Sequence, residues 1–93
     1  MNEKTIVLSS FEDITEFVSV TEKCSFPINL VRTGDESTFD GKSLLSVVIL
    51  LGWNIQVEYE GEDLELEEIL MKHRVTSLNM GWNDYVMKQK FTD

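Results

Sequence analysis

The sequence predicts an α+β domain whose helices lie on one face of an open sheet. Residues 54–60 (Asn-Ile-Gln-Val-Glu-Tyr-Glu) alternate apolar with polar, the pattern of an antiparallel strand with one covered and one wet face. Ile14, Phe17, Val18 and Thr21 stand at i, i+3, i+4 and i+7, the stripe of a helix packed on a core. Set in order, the elements read strand, helix, strand, strand, helix, strand, helix, which a two-layer α+β arrangement accommodates.

Residues 4–8 form a β-branched run and the first strand. Ser10 is placed to cap the following helix, with Asp13 at its third position as a shorter stand-in for the capping-box Glu. Glu12, Glu16 and Glu22 fall on its wet side, and the helix must stop before Pro27. Residues 28–33 are the second strand, and Gly34-Asp35-Glu36-Ser37 turns into a short third strand at Thr38-Phe39. After Asp40-Gly41, residues 43–51 make a short helix, apolar almost all round and so expected to be mostly buried, which Gly52 ends. In the next strand Ile55, Val57 and Tyr59 face the core. Gly61 then leads into a helix with Glu62 and Asp63 in its first turn and Lys72, His73 and Arg74 at its end, each charge favourable to the dipole. The predicted core holds Ile6, Leu8, Ile14, Phe17, Val18, Ile28, Leu30, Val47, Leu51, Val57, Leu66 and Leu70.

Residues 1–74 are thus the domain, and residues 75–93 a helical C-terminal extension. Ser77 is its cap, and Leu78, Trp82, Tyr85 and Val86 form its apolar stripe, weakened at Gly81 by about 1 kcal/mol relative to Ala. The extension is expected to pack on the same domain or to make a homodimer with a second copy of the chain.

Seventeen acidic residues against eight basic ones leave a net charge of −9, which repels nucleic acid and anionic membranes, so neither is an expected partner. Hydrophobic residues make up 42%, enough to fold one core, and no apolar run approaches the ~20 residues of a membrane span. With no apolar leader at the N-terminus either, a cytoplasmic location is expected. Cys24 alone makes no internal disulfide, and with one His it supplies no closed zinc shell; it is expected to be a small buried hydrophobe.

Other motifs resolve into plain structure. Gly34 and Gly41-Lys42-Ser43 are spaced too widely for a phosphate-binding loop, which has four residues between its glycines. The carboxylates of residues 58–68 suit a solvated face. No His stands by an activated Ser or Cys, so no catalytic residue, metal or cofactor is assigned and the chain is not expected to be an enzyme.

Lys42-Ser43-Leu44-Leu45 opening a short apolar helix, Ile28-Asn29-Leu30 in the second strand, and a strand ending in Gly61-Glu62-Asp63 together resemble HPr, the histidine phosphocarrier of the bacterial sugar phosphotransferase system. The resemblance spans roughly residues 4–70. It implies an open-faced sandwich: a four-stranded antiparallel sheet in order 1-4-2-3, three helices on one face, and here the extra C-terminal helix. Members of that family carry Gly-x-His-Ala-Arg-Pro after the first strand. This chain has Ser9-Ser10-Phe11-Glu12-Asp13 there, in a segment several residues shorter.

The resemblance implies that Ser43 matches a regulatory phosphorylation site of the Gram-positive members, although a helix-capping role needs no kinase. It also implies that Leu44 and Leu45 match apolar positions that touch protein partners. A phosphoryl group at the first helix would meet Glu12 and Asp13 and no Arg, so phosphohistidine transfer is not expected. The expectation is an HPr-like protein-interaction or regulatory module with an unidentified protein partner. Two alternatives are a phosphocarrier using another acceptor, His73, and a small enzyme or enzyme subunit.

Overall fold

The structure is a computed structural model that describes residues 2–75. The C-terminal helix expected over residues 75–93 lies outside the described residues from residue 76 onward. The elements are β1 (Asn2–Ile6), α1 (Phe11–Thr21), β2 (Asn29–Arg32), β3 (Thr38–Asp40), α2 (Leu44–Val48), β4 (Ile55–Tyr59) and α3 (Leu64–His73). Their order is the one the sequence predicts.

The strands form one antiparallel sheet in order β1-β4-β2-β3. Register sets which side chains meet. Val57 lies between Lys4 and Leu30, and Leu30 pairs on its other side with Phe39. The period of two then buries Ile55, Val57 and Tyr59 under the helices, while Gln56 and Glu58 stay partly wet. α1 packs against both α2 and α3, and Ile14, Phe17, Val18 and Thr21 are its buried stripe. The Thr21 hydroxyl, fully buried, donates to the carbonyl of Gly41 (2.7 Å) and so pins α1 to the turn that enters α2.

Each helix begins on a side-chain cap. Ser10 Oγ accepts from the Asp13 amide (3.1 Å), and the Asp13 carboxylate accepts from the amide of Ser9 (3.2 Å), a near-reciprocal box displaced by one residue. Ser43 Oγ accepts from the amide of Ser46. At α3 the cap is Asp63, accepting from Leu66 at 2.9 Å. Asp63 therefore precedes the helix instead of belonging to its first turn, where Glu65 and Glu67 supply the negative charge. An aspartate with a free amide three residues on is better used as a cap, because it satisfies an orphan donor as well as the dipole.

The second helix corrects the sequence reading most. It spans five residues, and it is mostly exposed: Val47 is its one buried residue. Beyond Val48 the chain tightens into i to i+3 turns, with Leu50, Leu51 and Trp53 amides donating to Val47, Val48 and Leu50 carbonyls. At three residues per turn, Leu50 eclipses Val47 and is buried, whereas Leu51, which a regular α-helix would place there, is 45% exposed. Gly52 ends the segment at φ 80°, a left-handed conformation in which other residues are strained.

Gly61 is another glycine the fold requires. A Cβ there would run into the ring of Phe26, which stacks on Tyr59 with centroids 5.9 Å apart. Cys24 is buried beside the end of α1, and burial pushes its thiol pKa up, helped by nearby Asp63.

Candidate functional site

Two surfaces meet where the amide of Gly52 donates to the carbonyl of Leu8 (2.8 Å). One is the outer face of α2 and the turns after it. Leu45 is 82% exposed there, and Leu44, Val48, Ile49, Leu51 and Trp53 are also large apolar side chains open to solvent. Such a run on a small acidic domain is a feature of interaction surfaces. Its rim is held in place: the Arg32 guanidinium lies 4.8 Å from the Trp53 ring centroid and 5.5 Å from that of Phe39. Asp35 grips the same guanidinium from the other end through Nε (3.2 Å) and a terminal nitrogen (2.6 Å), and these bonds hold its carboxyl well below the usual carboxylate range.

The second surface is the first turn of α1. Phe11 is exposed there, and Glu12 and Asp13 stand at the positive end of the helix. His73, 60 residues on from Asp13, lies against this turn. Donor atoms of Asp13, Glu16 and His73 are all within 4.8 Å of one another. His73 Nε2 is covered and has no hydrogen-bond partner among the described residues, and the carbonyl of the same residue accepts from the amide of Val7. His73 is therefore half-buried between two elements, where the sequence reading made it a wet residue at a helix end. Two carboxylates and an imidazole are ligands for a divalent cation, but Glu16 is already paired with Lys72 at 3.0 Å. For a phosphoryl anion the same surroundings are repulsive.

Ser43 sits half-buried at the start of α2 and uses its hydroxyl as the cap. Neighbouring Lys42 points its ammonium elsewhere, to the carbonyl of Cys24 at 2.7 Å. Leu44 and Leu45 are both on the exposed face, beside Ser43, whereas His73 belongs to the α1 surface. Sequence reasoning missed Val48, Ile49 and Leu51 as members of the apolar patch. The signal available was that the seven large apolar residues within 44–51 cannot all point inward from so short a helix.

Among solved structures, a phosphocarrier protein HPr from Bacillus anthracis strain Ames has a similar fold. It matches with a TM-score of 0.59 and 22% sequence identity, over 77% of this chain and 95% of that one. The chain has the HPr fold. No protein-family model matches the sequence, and the comparison with curated proteins finds no relative. The HPr-like α+β architecture, with its antiparallel sheet and three helices, thus agrees with the resemblance carried by Lys42-Ser43-Leu44-Leu45 and Ile28-Asn29-Leu30. No helix among the described residues is long and apolar enough to cross a membrane.

Proposed function

We propose that this chain is an HPr-like docking module of bacterial, cytoplasmic type that binds a protein partner through the exposed face of α2 and does not carry phosphoryl groups. The observation that supports it is the contrast between two surfaces. The α2 face offers Leu44, Leu45 and their apolar neighbours to a partner. The first turn of α1, where the resembling family keeps its phosphohistidine, has carboxylates and no arginine. Ser43 is the regulatory candidate: a phosphate on it would replace the cap and put charge beside Leu44, weakening apolar docking.

A second reading has one observation in its favour, the placement of His73 against α1, which would make it the phospho-acceptor. Asp13 and Glu16 argue against it, since an arriving phosphoryl group meets two like charges.

Radiolabel transfer from phosphoenolpyruvate through the first enzyme of the phosphotransferase system tests the proposal. Wild type and His73→Ala are both expected to remain unlabelled. Stoichiometric labelling of wild type overturns the proposal, and loss of that label in His73→Ala assigns the acceptor. The docking half is tested by Leu45→Asp, which should abolish retention of a partner that wild type holds.

A further inference from the structure

Where the first turns of α1 meet the end of α3, three metal-ligating side chains converge. Asp13 and Glu16 stand at i and i+3 on α1 and so share a face, and His73 joins them from α3. One donor atom of each lies within 4.8 Å of the donor atoms of the other two. Three atoms so spaced all lie within about 2.8 Å of one common point, the circumradius of an equilateral triangle of that side, while bonds from a zinc ion to oxygen and nitrogen are about 2.0–2.2 Å. Shifts of roughly 0.6–0.8 Å in the side chains close that gap.

A second observation points to a ligand. His73 Nε2 is covered from solvent and has no hydrogen-bond partner among the described residues, so the imidazole is desolvated there without compensation. The Asp13 carboxylate uses Oδ2 to accept from the Ser9 amide (3.2 Å), a bond that orients the group as an outer-shell partner does and leaves Oδ1 over. Lys72 is the competitor, 3.0 and 3.4 Å from the two oxygens of Glu16. Both side chains of that pair are well exposed, and such pairs contribute little. Lys72 also keeps acidic company without Glu16, since Glu68, one turn back on α3, and Glu65 line the same hollow. The donor set selects the cation. An imidazole with two carboxylates suits late first-row divalent ions, whereas Mg2+ and Ca2+ take oxygen shells.

We propose that Asp13, Glu16 and His73 bind a late first-row divalent cation of the zinc type, through one oxygen of each carboxylate and one imidazole nitrogen, with water completing the shell. The ion ties α1 to the end of α3. Because the His73 carbonyl accepts from the Val7 amide, it also fixes the chain that leaves β1. The unfolded chain does not hold residues 13, 16 and 73 together, so binding stabilises the fold. The site is separate from the apolar face of α2 and stands independently of the docking reading.

The test titrates the untagged full-length chain with Zn2+ and, separately, with Mg2+. Calorimetry gives stoichiometry and affinity, and the ring C–H NMR signals of His73, the sole histidine, report on the imidazole. The expected result is one Zn2+ per chain, displaced His73 signals and a raised melting temperature, all reversed by a chelator, with no such response to Mg2+. Glu16→Gln, at an exposed position, and Asp13→Asn, which keeps an oxygen for the Ser9 amide, should each weaken Zn2+ binding by about tenfold or more. His73→Ala should weaken it by at least about 100-fold, since losing a ligand costs no less than losing its outer-shell partner. Glu22→Gln, at the far end of α1, should leave the affinity unchanged, and Lys72→Gln, which frees Glu16, should raise it several-fold. His73 signals indifferent to Zn2+, an equal response to Mg2+, or undiminished binding in both carboxylate variants overturns the proposal. So does an equal loss in Glu22→Gln, which assigns the binding to diffuse attraction by an acidic chain.

Discussion

The amide of Gly52 donates to the carbonyl of Leu8 at 2.8 Å, closing the end of the α2 segment onto the loop between β1 and α1. That one bond joins the apolar face and the first turn of α1 into a continuous region, and it requires Gly52 at φ 80°. A Cβ at Gly52 meets no atom within 4 Å, so only the backbone conformation resists substitution. Gly52→Ala is expected to lower stability by about 1–2 kcal/mol, read by urea denaturation with an unchanged m-value. No loss at all would show that the left-handed turn is not populated.

Leu50 and Leu51 separate a helix continued in α form from one that tightens. With Leu50 fully buried and Leu51 wet, Leu50→Ala should cost about 2–5 kcal/mol, and Leu51→Ala should stay within about 0.5 kcal/mol of wild type. The reverse ranking would place Leu51 in the core.

Ser43 can be tested as a cap apart from any kinase. Ser43→Ala removes the acceptor for the Ser46 amide and should cost about 0.5–2 kcal/mol, while Ser43→Asp, which can cap equally well, should cost little. Equal stability of the two variants in thermal melts would mean that the cap contributes nothing.

Tyr59 donates its hydroxyl to Glu67 (2.5 Å), and burial first, then Glu67, push its pKa well above the ordinary tyrosine value. As the pH rises, an unfolded tyrosine ionises near about pH 10 while the folded one keeps its proton, so the unfolded state loses protons first. The contribution of Tyr59 to stability is therefore complete below that pH and is lost as the pH climbs through and above it. Tyr59→Phe should cost on the order of 1 kcal/mol at neutral pH, and its melting temperature should fall less steeply than that of wild type above about pH 10. Parallel curves for the two proteins would rule out the shift.

The sequence by itself determined the element order, the two-layer class and most of the core, because each rests on local physics. Periods of two and of near four fixed which of Ile14, Phe17, Val18, Ile55 and Val57 face inward, and the caps at Ser10 and Ser43 are decided by residues three positions away. Ser43, Leu44 and Leu45 were legible as candidates only through a resemblance to HPr, whose fold the chain shares. Tertiary structure alone decided the rest. A run such as residues 44–51 is apolar at every position, so periodicity cannot say which side is buried; the tie of Gly52 to Leu8 and the tightening after Val48 choose Val47 and Leu50. His73 is far from Asp13 along the chain, and only the packing of α3 on α1 and β1 brings its imidazole against the first turn, since contacts between distant residues are set by how whole elements pack and not by any local pattern.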